Sequence, residues 1–182
     1  MELGESASDL VGTDLEFPEF DPSGFSKRAD EKTMFWYRSA ELKHGRIAML
    51  AALGQIFQSY VQLGDPVFNQ GDKPLKALEQ VCSERPLAAV QIGLAIFAVE
   101  AFGQFQQKQT GVPGDLNFDP LGLKPDDEET WEKVQLRELK NGRLAMLAIA
   151  GMLYTEFVTG NGVIEAWRIG AVSPFNDGKG IF

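Results

Sequence analysis

Apolar residues gather into three runs along the chain, each bounded by turn residues. The first extends from Ile47 to Leu63, with Gln55, Gln58, Ser59 and Gln62 as its polar interruptions. About four turns of amphipathic sequence from Glu31 onward lead into it, and Gly64-Asp65-Pro66 ends it. The second starts at Pro86, a residue suited to the first turn of a helix, and reaches Gly103 with only Gln91 and Glu100 as polar members. The third, Leu144 to Val158, carries Thr155 and Glu156 near its end and stops at Gly160. Length and period predict three long helices over approximately 32–64, 86–107 and 127–160, and the stretch from Val163 to Ile169, with Trp167, predicts a short interfacial helix.

Each apolar run alone is about 15 to 18 residues, short of the ~20 that cross a bilayer as a helix. The first and third reach that length if the charged sequence ahead of them also lies at membrane depth. That sequence is one phrase used twice. Glu41-Leu42-Lys43-His44-Gly45-Arg46-Ile47-Ala48-Met49-Leu50 returns as Glu138-Leu139-Lys140-Asn141-Gly142-Arg143-Leu144-Ala145-Met146-Leu147, identical at eight of ten positions. The repeat extends upstream, where Phe20-Asp21-Pro22-Ser23-Gly24-Phe25 matches Phe118-Asp119-Pro120-Leu121-Gly122-Leu123. Asp-Pro followed by glycine is turn chemistry, so the chain is a duplicated loop-then-helix unit with a further helix between the copies.

A charged side chain in lipid persists beside a partner inside the protein. Each copy supplies one acid and one base, which predicts reciprocal ion pairs, Glu41 with Arg143 and Glu138 with Arg46. Three spans make the first and third helices parallel, and the duplication relates them by a pseudo-two-fold axis along the membrane normal. Close crossing needs small residues, and Gly45, Ala48 and Ala51 match Gly142, Ala145 and Ala148. The expected fold is an all-α membrane protein with three transmembrane helices, the first and third crossed, plus a short amphipathic C-terminal helix. Phe35-Trp36-Tyr37 and Trp131 flank the leading ends as interfacial anchors, with Tyr60 and Tyr154 toward the trailing ends. Lys and Arg are denser at the leading ends, which puts the N-terminus on the cytoplasm-like face.

Composition narrows the function. A chain of 182 residues fits one domain, and its single cysteine, Cys82, excludes an internal disulfide framework. The mean hydropathy of −0.15 averages away the three runs. A formal charge of −9 leaves no basic stripe for nucleic acid. Residues 1–31 hold nine acids against Lys27 and Arg28, a net of about −7, and read as an acidic N-terminal arm and loop ahead of a single three-helix domain over 32–182. No basic, apolar and small-residue series marks a targeting signal within the numbered chain.

A glutamate, a histidine one turn later and an arginine beyond them have three uses: structural, catalytic or ligating. Charge exchange between crossed helices alone would justify the acid and the base. Glu-x-x-His on a helix is also the di-iron carboxylate signature, but the second copy has Asn141 where that chemistry needs histidine, and His44 is the chain's one histidine. A chlorophyll magnesium asks for less, a single axial oxygen or nitrogen lone pair, which Glu41, His44, Glu138 and Asn141 all offer. A glutamate balanced by arginine keeps its other oxygen for such a bond.

These residues resemble the light-harvesting chlorophyll-binding antenna family, through the two Phe-Asp-Pro-x-Gly loops, Glu-x-x-His-x-Arg in the first helix, the middle helix and Glu-x-x-Asn-x-Arg in the third. The resemblance implies crossed helices locked by Glu/Arg pairs, surrounding chlorophylls, and carotenoids in the grooves of the cross with their ends capped by the loops. It assigns chlorophyll magnesium to Glu41 and His44, to Glu138 and Asn141, and to the middle-helix Glu100. Gln91 resembles a second middle-helix ligand with one extra residue of spacing, its other reading being a polar residue bonded within the bundle. Fourteen residues beyond Asn141 the family carries glutamine and this chain Thr155, so that chlorophyll is absent, water-bridged or held by Glu156. The symmetric first-helix position, Gln58, resembles a ligand of the fucoxanthin-chlorophyll branch.

With the Lys-His-Gly-Arg-Ile-Ala-Met-Leu wording, these departures resemble red-lineage chlorophyll a/c antennae. The branch implies chlorophyll a, chlorophyll c and carotenoids of the fucoxanthin, peridinin, alloxanthin or diadinoxanthin type. It also implies a chloroplast thylakoid location with the N-terminus stromal, partners in a photosystem I or II core, other antenna subunits and thylakoid lipids, and no enzymatic step. The expected function is transfer of excitation energy to a photosystem; the alternative is a photoprotective, energy-quenching member of the same family.

Overall fold

A computed structural model describes Gly12 and residues 20–61, 64–65 and 73–170. The described residues form six helices and no strand: α1 Phe25–Arg28, α2 Glu31–Tyr60, α3 Pro74–Glu84, α4 Pro86–Thr110, α5 Glu128–Thr159 and α6 Val163–Arg168. Of the acidic arm, only Gly12 and the residues from Phe20 onward fall among those described.

The duplication is physical as well as textual. In the first loop Asp21 accepts from the amides of Phe25 and Ser26, each at 2.9 Å, and its carbonyl accepts from Gly24 at 3.2 Å. In the second, Asp119 accepts from Leu123 and Lys124, each at 2.9 Å, and its carbonyl from Gly122 at 3.4 Å. Gly24 and Gly122 close these turns with φ of 65° and 61°, a region that favours glycine. Each long helix then starts on an aspartate cap: Asp30 accepts from the Thr33 amide at 3.2 Å and Asp127 from the Thr130 amide at 2.9 Å, with the threonine hydroxyls on the same carboxylates.

The loops therefore depend on ionised aspartate. The Ser26 hydroxyl and nearby amides hold the Asp21 carboxyl below its usual range, and the Leu123 and Lys124 amides do the same for Asp119. A carboxylate whose pKa is lower folded than unfolded stabilises the loop above the ordinary carboxylate range, and that contribution is lost as pH falls through the lowered value. Amide hydrogen-exchange protection at Ser26, Leu123 and Lys124 should thus decline below about pH 4. Protection that persists unchanged in acid would contradict it.

By internal contacts the chain divides into two units, residues 1–46 with 100–144, and residues 47–99 with 145–182, each drawing on α2, α4 and α5. In the first unit α2 and α5 touch backbone to backbone: a Cβ built on Gly45 would lie 3.0 Å from the Gly142 Cα, and the converse holds. There too Gln107 of α4 donates to the buried Ser39 hydroxyl, which donates to the Phe35 carbonyl at 2.8 Å. In the second unit the buried residues are Ala48, Gln55, Ala77, Val81, Glu156, Gly162, Val163 and Ala166. Helix α3 follows Gly64-Asp65-Pro66 where the apolar pattern predicts no helix. Pro74 stands in its first turn, its Ala77 and Val81 are buried, and its Leu75 amide donates to Glu156 at 2.8 Å.

Among the described residues, large apolar side chains stand on the surface while several polar ones are buried. Ile47, Leu50, Phe57 and Tyr60 form an exposed stripe on α2, and the equivalent Leu144, Leu147, Tyr154 and Phe157 form the same stripe on α5, with Phe157 82% exposed. Along α4, Leu87, Ile96, Phe97 and Val99 are exposed as well. Meanwhile Ser39, Gln55, Gln107 and Glu156 are buried. Contiguous exposed apolar surface on this scale marks contact with an apolar partner or a membrane.

Candidate functional site

The charged and lone-pair residues of the repeated phrase lie in the first unit, where α2 meets α5 at Gly45 and Gly142. Arg46 donates from Nε to Glu138 at 2.6 Å and from Nη1 to the Gly114 carbonyl at 2.8 Å. Arg143 donates from Nε to Glu41 at 2.8 Å and from Nη1 to the Gly12 carbonyl at 3.1 Å. Each helix thus supplies the base for the other's acid.

The two acids differ in what remains free. Arg46 engages Glu138 Oε1, and among the described residues Oε2 has no partner. Glu41 has both oxygens engaged, because Arg38 donates to Oε2 at 2.9 Å from one turn earlier on α2. Gln135 stands at the position of α5 equivalent to Arg38, so the duplication breaks here. Glu100 of α4 is neutralised by Lys43 of α2 and accepts from Gln104 at 3.0 Å, both on Oε1. Its Oε2 is without a partner among the described residues.

His44 and Asn141 converge on one geometry from different chemistry. The His44 Nδ1 lies 2.7 Å from the Ala40 carbonyl, which only accepts, so Nδ1 donates to it and in the neutral ring Nε2 has the lone pair. The Asn141 Nδ2 donates to the Arg137 carbonyl at 2.8 Å, leaving Oδ1 as the acceptor. In both, the bond to the carbonyl four residues back fixes the ring or amide and aims one lone pair away from its helix, as second-shell bonds do for metal-ligating histidines. Both residues are exposed. The donors fit a magnesium that takes one axial nitrogen or oxygen.

Other expected ligands lie elsewhere. Gln58 on α2 is half-buried and Gln91 on α4 exposed, and neither forms a hydrogen bond among the described residues. Thr155 donates its hydroxyl to the Gly151 carbonyl at 2.9 Å. Glu156, the other candidate for holding a chlorophyll there, is 4% exposed and turned to the N-terminus of α3. It stands in for a cap, since Lys73 makes no side-chain cap bond.

Sequence reasoning missed Arg38, Lys43 and the glycine carbonyls. Arg38 and Lys43 lie one turn from Glu41 or inside the repeated phrase, a signal that spacing offers. Nothing in spacing marks the carbonyls.

The chlorophyll A-B binding protein family model matches residues 6–157. The chain is 61% identical, over its whole length and 84% of the relative, to the chloroplastic fucoxanthin-chlorophyll a-c binding protein of Chattonella marina var. antiqua. It is 38% identical to a protein of the same description from Isochrysis galbana, over 79% of this chain and 74% of that one. It is also 38% identical to the light-harvesting complex stress-related protein 1 of Chlamydomonas reinhardtii, over 87% and 68%. A match spanning the acid, base and lone-pair residues of both helices, with most of the chain covered, leaves one assignment: the chain belongs to the chlorophyll a-b binding family of light-harvesting proteins, on its red-lineage, fucoxanthin-chlorophyll side.

Proposed function

We propose that this protein is a chloroplast antenna that holds chlorophyll a, chlorophyll c and fucoxanthin-type carotenoids in the thylakoid membrane and passes excitation energy to a photosystem. The observation that carries this reading is the matched pair of back-bonded lone-pair donors, His44 and Asn141, set beside mutually neutralised acids on helices whose outward stripes are apolar. Bound pigments supply absorption and resonance transfer. The chain would fix their spacing and orientation, with His44, Asn141, Glu138 and Glu100 as the side chains that would hold chlorophyll magnesium and Glu41, Gln58 and Gln91 as further ones. The Asp-Pro-x-Gly loops cap carotenoid ends. The family is one of pigment-binding antennae rather than enzymes.

On this reading α2, α4 and α5 are the three membrane spans. Only α4, among the described residues, is long and apolar enough by itself, with mean hydropathy 1.7 over a window that is 6% buried. Helices α2 and α5, of 30 and 32 residues, exceed the length needed for a hydrocarbon core of about 30 Å at 1.5 Å per residue. Their charges enter lipid as pairs, and their exposed stripes face it. The N-terminus lies on the stromal side, next to a photosystem core and neighbouring antenna subunits.

Replacing His44 or Asn141 by Leu should each remove one chlorophyll from the purified complex while the helices persist, since each magnesium takes a single axial donor. Pigment extraction and circular dichroism check this; pigment content equal to wild type in both variants would sink the ligand assignment. The relative with 61% identity favours harvesting over the stress-related description found at 38%. A nanosecond-scale fluorescence lifetime of the isolated complex supports harvesting, and a strongly shortened one supports quenching.

A further inference from the structure

Glu100 is the one acid of α4, and its own helix offers it no nearby base. Lys108 is the only basic residue between Pro86 and Thr110, about two turns further on. The base comes instead from α2, where Lys43 donates to Glu100 Oε1, the oxygen that Gln104 also holds at 3.0 Å. Both donors take the same oxygen. Oε2 is left open among the described residues, on a side chain that is 48% exposed.

Lys43 reaches Glu100 because a second polar contact sets α4 against α2. Gln107, seven residues along α4 from Glu100, donates to the Ser39 hydroxyl, four residues before Lys43 on α2, and both residues are buried. Positions 39 and 43 share a face of α2, and positions 100, 104 and 107 share a face of α4. The contacts ascend α2 from Ser39 to Lys43 as they descend α4 from Gln107 to Glu100, so the two helices run antiparallel here. The Ser39–Gln107 bond places α4, and Lys43 decides what its carboxylate presents.

Two physical demands meet in Lys43. A carboxylate at membrane depth needs a base beside it. A carboxylate that is to hold magnesium also needs an oxygen lone pair that no donor has taken. An ammonium confined to Oε1 satisfies both. Lys43 is followed directly by His44, whose Nδ1 is engaged by the Ala40 carbonyl at 2.7 Å. Consecutive residues of α2 thus set a lone pair on each of two helices.

We infer that Lys43 is a positioning residue for a chlorophyll held by Glu100: its ammonium neutralises the carboxylate, leaves Oε2 for the magnesium and fixes that pigment relative to the one held by His44. The inference rests on the pigment-binding reading.

The test refolds the full chain with chlorophyll a, chlorophyll c and fucoxanthin. It measures chlorophyll per chain, helix content by far-ultraviolet circular dichroism, and the exciton signal between neighbouring pigments by visible circular dichroism. Lys43→Met keeps an unbranched side chain and removes the charge; it should lose one chlorophyll per chain at wild-type helix content, with a weakened exciton signal. Lys43→Arg should retain that chlorophyll. Lys43→Met with Glu100→Gln should regain it, because an amide oxygen still offers a lone pair and carries no charge to neutralise. A lysine that served only to join the helices would not be rescued by this change in its partner. Wild-type chlorophyll content in Lys43→Met, or a loss that the double variant fails to repair, would overturn the role of Lys43. If Lys43→Met does not fold with pigment at all, the double variant decides alone: full chlorophyll content supports the role, and a shortfall overturns it. Wild-type protein that takes up no chlorophyll would instead overturn the pigment-binding reading.

Discussion

Arg46→Leu should prevent stable assembly with pigment. The substitution removes the base from Glu138, to which Arg46 Nε lies at 2.6 Å, and frees the Gly114 carbonyl at the same time. Breaking one partner from a buried pair costs about 3–5 kcal/mol, and the one-third exposure of both side chains argues for the lower end in water. In lipid the exposed part has no water to turn to, which restores the larger figure. That is a large fraction of the 5–15 kcal/mol typical of a folded domain. Removing both charges, in Arg46→Leu with Glu138→Leu, should recover some yield, because no charge is then left alone. Refolding yield with chlorophyll and the melting temperature of the pigment complex measure both; undiminished yield in Arg46→Leu would refute the reciprocal lock.

Gly45→Leu should be at least as damaging, for a steric reason. Even the first carbon of a side chain at Gly45 stands 3.0 Å from the Gly142 Cα and 3.5 Å from its carbonyl carbon. Those atoms are backbone inside a second helix, so neither can rotate away. Alanine already forces the helices apart by a few tenths of an ångström, at about 1–3 kcal/mol for overpacking. A leucine requires a separation that also stretches both ion pairs, and the effects then add in one place. The expected order of pigment-complex yield is wild type, Gly45→Ala, then Gly45→Leu with none. Equal yields across the series would mean the crossing is not the tight contact described.

Several features were legible in the sequence because they are one-dimensional. A duplicated phrase with one acid and one base per copy leaves each helix needing the other's partner, and the pairs Arg46–Glu138 and Arg143–Glu41 follow from charge balance. The turns at Asp21 and Asp119 are readable because proline and glycine stand at fixed offsets. The caps Asp30 and Asp127 were present as Asp-x-x-Thr in both copies, a signal of the same kind that passes unnoticed behind the louder repeat. Helix α3 escaped the apolar pattern because it buries little, only Ala77 and Val81, and its period is spread over eleven residues.

The sequence by itself determined the duplication, the three apolar runs, the exchange of charge and the membership in a pigment-binding family, since each rests on residue identity and spacing along the chain. Tertiary structure alone decided the rest. It showed that Arg38 takes the second oxygen of Glu41 while that of Glu138 stays open, that Lys43 neutralises Glu100, and that Glu156 is spent as a helix cap. It also brought Gly12 and Gly114 to equivalent arginines although Gly12 stands nine positions before Asp21 and Gly114 five before Asp119, so an ungapped alignment of the repeats does not pair them. The physical reason is common to all of these. A lone pair, a carbonyl or the second oxygen of a carboxylate carries no mark in the sequence, and its availability depends on which donors the fold places within about 3 Å of it.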